Sequence, residues 1–107
     1  MFTLVLTMRL KPGCLAAYRK AHDELWPEIA RSMSENKVNM AIFHEDGRLF
    51  VFATAPSEAH WERSRQEPAL ARWDAMMTGF LESDVPGKIA FRHPEKVFGF
   101  GEFRQAD

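Results

Sequence analysis

The chain has 107 residues, 46% hydrophobic and 27% charged, and its 14 basic and 15 acidic side chains leave a net charge of −1. That length suits one domain spanning residues 1–107 with a core of its own, and the composition excludes a disordered chain. Without a basic excess no nucleic-acid partner is expected, and the single cysteine, Cys14, excludes an internal disulfide or a cysteine zinc cluster and points to the cytoplasm. No apolar run approaches the ~20 residues needed to cross a bilayer, so no membrane partner is expected. Nine Phe and three Trp stand beside one tyrosine, Tyr18.

Phe2, Leu4, Leu6, Met8 and Leu10 share one parity and Thr3, Val5, Thr7 and Arg9 the other, the period-2 pattern of a half-buried strand and not of a signal peptide. Lys11, Pro12 and Gly13 end it. Leu15, Tyr18, His22, Leu25, Ile29 and Met33 then recur three and four apart, as on one helix face. Pro27 cannot donate to residue 23, so this helix is predicted to kink or restart near Trp26, and Asn36 can cap its end. Val38 to His44 and Leu49 to Thr54 are β-prone runs around Glu45, Asp46, Gly47 and Arg48, an Asp-Gly hairpin signal.

Ser57 opens a short helix to about Arg65, although Ser57 and His60 do not make the usual capping box. After Pro68 a further helix carries Leu70, Trp73, Met76, Met77 and Phe80 on one stripe, closed by Gly79 and the turn Asp84 to Gly87. Lys88 to Phe103 reads as extended structure with a bend, and Arg104 to Asp107 as a frayed end. The order strand, helix, strand, strand, helix, strand matches an α+β, ferredoxin-like split βαβ arrangement, an antiparallel sheet with helices on one face. Apolar residues remain for the other sheet face, so a second copy of the chain is expected to cover it as a homodimer.

Tyr18, His22 and Trp26 lie at successive i, i+4 positions, placing a phenol, an imidazole and an indole in one row. From periodicity alone His22 is either a core histidine satisfied by a neighbour, with Tyr18 in reach, or a general acid or base lining a cavity between helix and sheet. His44, His60 and His93 are scattered and form no metal-ligand spacing, so no metal site is expected. Cys14 and the serines lack the setting of a nucleophile, and the six glycines form no phosphate-binding cluster. Trp73 reads as core or as a ligand platform, and Asp74 as a solvated charge.

The ungapped segment Tyr18, Arg19, Lys20, Ala21, His22, Asp23, Glu24, Leu25, Trp26, Pro27, Glu28 resembles the Y-x-x-x-H-x-x-[IL]-W-P-E signature of the L-rhamnose mutarotase family. Asn39 with Ala41 and Ile42, Leu49-Phe50, and Arg72-Trp73 resemble its further segments, so the likeness covers most of residues 1 to 80. The resemblance implies a dimeric α/β barrel of ferredoxin-like subunits, no cofactor, and a sugar substrate. It makes His22 the proton donor, Tyr18 a sugar-binding hydroxyl and Trp73 part of the substrate wall. Two positions depart from the pattern. Met40 stands where the family commonly has a tyrosine, and Asp74 where it has a second tryptophan; both are candidate substrate-binding residues that alter the specificity surface.

The implied reaction exchanges the α and β anomers of L-rhamnose or a related aldose. A proton reaches the ring oxygen, another leaves the anomeric hydroxyl, and the ring opens to the aldehyde and closes on the other carbonyl face. One positioned acid–base group, worth roughly 10² to 10⁴ in rate, suffices for a reaction that already runs in water. Two alternatives share the architecture: a cofactor-free monooxygenase or cyclase acting on an apolar aromatic substrate, and a non-catalytic dimeric binding module with a structural His22.

Overall fold

The computed structural model describes residues 1–104; the predicted frayed end falls largely on residues 105–107, outside the described residues. Strand β1 (Phe2–Arg9) leads into helices α1 (Leu15–Asp23) and α2 (Pro27–Glu35), strands β2 (Asn39–Glu45) and β3 (Arg48–Ala55), helices α3 (Glu58–Ser64) and α4 (Ala69–Met77), and short strands β4 (Ser83–Val85) and β5 (Lys88–Ile89). The sheet order is β1-β3-β2, all antiparallel, with Val5 opposite Phe52 and Phe52 opposite Ala41. The two-residue turn at Asp46 and Gly47, with φ of 51° and 77°, matches the twist of the paired strands and sets this register.

The predicted helix break is real. Pro27 occupies the first turn of α2, where a missing N–H costs nothing, and Trp26 before it is extended at φ −63° and ψ 136°. Asn36 closes α2, its amide donating to the Ser32 carbonyl at 2.9 Å. Ser57 does cap α3: its hydroxyl accepts from the His60 backbone N–H at 3.2 Å, and the His60 ring lies 2.7 Å from the same oxygen in place of the usual Glu or Gln. Helix α4 stops at Met77, three residues short of the predicted Phe80.

The fourth strand is the largest difference from the sequence reading. Leu81 bridges Leu10 and Arg92 bridges Thr7 on the free side of β1, which completes a ferredoxin-like order in outline. Between these bridges the chain leaves the sheet as the β4–β5 hairpin, turned at Pro86 and Gly87 (φ 81°). Even-numbered β1 residues and odd-numbered β3 residues face the helices, and Met8, Leu10, Leu49, Val51, Tyr18, Ile29, Leu70, Trp73, Met77 and Leu81 form the core. On the opposite sheet face residues 94–103 strap across Thr3, Val5 and Phe52, with the rings of Phe52 and Phe103 5.8 Å apart. The chain thus covers part of that face itself. No helix among the described residues is long and apolar enough to cross a membrane.

Candidate active site

A cavity of about 260 Å³ lies between the sheet and the helices, and Tyr18, His22, Met40, Trp73 and Asp74 all line it. Toward the β2 edge it adjoins a depression of about 340 Å³ that shares Tyr18, His22 and Met40. A larger hollow, about 720 Å³, lies under the 94–103 strap on the far sheet face and holds none of these five residues. The five candidates therefore meet at one place.

Helix α1 delivers Tyr18 and His22 from adjacent turns. His22 Nδ1 sits 2.9 Å from the Tyr18 backbone carbonyl, so Nδ1–H donates to it and Nε2 has no protein partner among the described residues. The satisfying neighbour is thus the main chain of Tyr18, not its hydroxyl. The Tyr18 and His22 rings are 4.3 Å apart, and the Trp73 ring meets His22 at 5.1 Å and 84°. Trp26, turned inward by the break before Pro27, braces Trp73 in turn at 5.3 Å and 86°. The imidazole is held by two rings and a main-chain carbonyl, with one nitrogen available.

Tyr18 is 5% exposed, and burial pushes its phenol from 10.0 up to about 12, so it is a neutral donor or acceptor at any working pH. Its hydroxyl bonds no described residue, yet no buried side-chain polar atom lacks a partner. The hydroxyl must therefore retain accessible surface at the cavity. Asp74 stands at the rim, its carboxyl raised above the ordinary range by partial burial and pulled back by Arg65. Met40, 37% exposed on β2, contributes a flexible thioether wall where a hydroxyl would be more directional.

Two cavity residues escaped the sequence reading, Trp61 and Arg65. Their signal was the i, i+4 spacing at the end of a short helix, which sets the Arg65 guanidinium 5.2 Å from the Trp61 ring centroid. Among the scattered histidines, His44 accepts the Gly47 N–H and His60 serves the α3 cap. No group of three or more potential metal ligands occurs among the described residues.

A family model described as L-rhamnose mutarotase matches residues 3–100. This chain belongs to the L-rhamnose mutarotase family. It is thus an isomerase of the aldose mutarotase class. Relatives include the L-rhamnose mutarotase of Jannaschia sp. (strain CCS1), 35% identical over 79 residues, spanning 71% of this chain and 76% of that one. The L-rhamnose mutarotase of Mannheimia succiniciproducens is 29% identical over 94 residues, 85% of this chain and 90% of its own. The crystal structure of L-rhamnose mutarotase from Formosa agariphila superposes with a TM-score of 0.76 at 23% identity, covering 94% of this chain and 100% of that one, a likeness of fold. The fold is shared more distantly by Rv0793 from Mycobacterium tuberculosis, with a TM-score of 0.62 at 16% identity over 89% of this chain and 93% of its own.

Proposed function

We propose that this mutarotase exchanges the anomers of L-rhamnose or a closely related aldopyranose in the His22 cavity, with His22 as the proton donor. The observation that carries the reading is the imidazole anchored through Nδ1 to the Tyr18 carbonyl, with Nε2 left for the ligand. As imidazolium, His22 delivers the Nε2 proton to the ring oxygen as the C1–O5 bond breaks, while the anomeric hydroxyl releases its proton to water. After rotation about C1–C2 the same groups run the steps in reverse. The Tyr18 hydroxyl binds a sugar hydroxyl, and the face of Trp73 lies against sugar C–H groups.

Exchange NMR on L-rhamnose, L-fucose and common hexoses tests this reading. Wild type accelerates anomer exchange for at least one of them, and His22→Ala loses roughly 10² to 10⁴ of that acceleration. Equal rates for variant and wild type overturn the role of His22. No acceleration for any sugar overturns the mutarotase reading.

The same reading includes a homodimer in the cytoplasm. Phe43, Val97, Phe98 and Phe100 stand exposed on or near the strapped sheet face, Phe98 at 81%, which supports burial against a second copy. Sedimentation is expected to give twice the chain mass.

A further inference from the structure

Arg65 has no part in the proton transfer, yet it reaches the cavity. It follows α3 and is held over Trp61, itself a wall of the cavity, while Asp74 stands on α4 one residue beyond Trp73. Neither charge has an ion pair within 4.0 Å or a side-chain hydrogen bond among the described residues. They do sense each other. Both stand partly exposed at the rim, where partial burial disfavours each charge and the other partly restores it.

Two opposite charges that attract without touching leave a gap between a donor fork and an acceptor. A hydroxyl suits such a gap, because its oxygen accepts from the guanidinium while its hydrogen goes to the carboxylate. A C–H group there would pair with neither charge. Trp61 matters because it limits where the guanidinium can swing, so little freedom remains to be lost on binding.

We propose that Arg65 and Asp74 clamp one hydroxyl of the sugar between them, which makes Arg65 a specificity-determining residue that selects an uncharged pyranose bearing a hydroxyl at that carbon. The clamp takes its ligand class from the mutarotase reading and adds a requirement to it. Because the pair has no net charge, it offers no uncompensated cation to a sugar phosphate or uronate.

The test titrates L-rhamnose and its 2-, 3- and 4-deoxy analogues by NMR into wild type, Arg65→Met and Arg65→Lys, each checked for an unchanged fold by its amide spectrum, and measures anomer exchange alongside. In wild type one analogue binds roughly 10- to 100-fold more weakly than L-rhamnose. Arg65→Met weakens L-rhamnose by a similar factor, raising KM with little change in kcat, and weakens that one analogue no further. Arg65→Lys recovers part of the loss. The clamp is overturned when Arg65→Met binds L-rhamnose as wild type does, or weakens every ligand equally. Sugar binding with the expected pattern but no catalysed exchange sinks the mutarotase reading and keeps the clamp. Catalysed exchange with an unchanged KM in Arg65→Met does the reverse.

Discussion

Replacing Tyr18 by phenylalanine separates what the hydroxyl does for the fold from the sugar-binding role proposed for it. The ring packs in the core at 5% exposure, but its oxygen bonds no described residue. Removing that oxygen leaves the packing intact, so stability at neutral pH should stay within about 0.5 kcal/mol of wild type. One neutral hydrogen bond to a sugar contributes about 0.5–1.5 kcal/mol, so L-rhamnose binding should weaken by about 2- to 12-fold. Alkaline pH adds a second, opposite signature. The phenol of the unfolded chain loses its proton near 10.0 and that of the folded chain only near about 12, so between those values the folded state binds more protons. Stability is full below pH 10 and falls as pH rises through 12, by up to about 3 kcal/mol. Tyr18→Phe escapes that loss and should become the more stable protein across this window. Urea unfolding followed by tryptophan fluorescence measures the stabilities. Tyrosinate absorbance in the native protein reports this group alone, since Tyr18 is the only tyrosine. A variant destabilised by more than about 1 kcal/mol at neutral pH refutes the idea that the hydroxyl is spare in the fold. Tyrosinate appearing near the ordinary value refutes its burial.

Asp74→Asn removes a carboxyl that burial raises, so the folded state favours its protonated form. Wild type is most stabilised by this group below the ordinary carboxyl range and loses that contribution as pH climbs through the raised value; the variant should lack this slope in acid-range thermal melts while binding sugar more weakly. Gly47→Ala places a Cβ at φ +77°, where only the Arg9 guanidinium approaches, at an ordinary 3.6 Å, so backbone strain alone should cost about 1–2 kcal/mol. Its melting point should fall while the affinity for L-rhamnose is unchanged, because the turn does not line the cavity.

The parts legible in the sequence are those whose signals are local. The alternation of β1, the Asp46-Gly47 turn and the break before Pro27 each follow from covalent or steric constraints a few residues wide. The row Tyr18, His22, Trp26 was legible for the same reason, since helix geometry fixes which face those side chains share. The fourth strand was not. Leu81 and Arg92 reach β1 from either side of the β4–β5 hairpin, and nothing between residues 81 and 92 alternates long enough to mark one strand. The strap across Val5 and Phe52 depends on contacts some ninety and fifty residues distant in sequence, which no periodicity records. Arg65 reads as one more charge on an exposed helix end until α4 brings Asp74 to the same rim.

The groups that orient His22 are a main-chain carbonyl and two rings, Tyr18 tilted against it and Trp73, backed by Trp26, in edge contact. None of them depends on Met40, Arg65 or Asp74, which stand on β2, after α3 and on α4 around the cavity. On the proposed roles, the rim side chains Met40, Arg65 and Asp74 act on the sugar without orienting His22, although α4 carries both Trp73 and Asp74 and Tyr18 serves both the imidazole and the sugar. If the rim side chains bind the sugar as proposed, exchanging them should change which hydroxyls are matched while leaving the imidazole anchored, and the losses should appear in KM. Disturbing the break at Trp26 and Pro27 removes the brace behind Trp73, so, with His22 as the proposed proton donor, the loss should appear in kcat even though Trp26 reaches His22 only through Trp73.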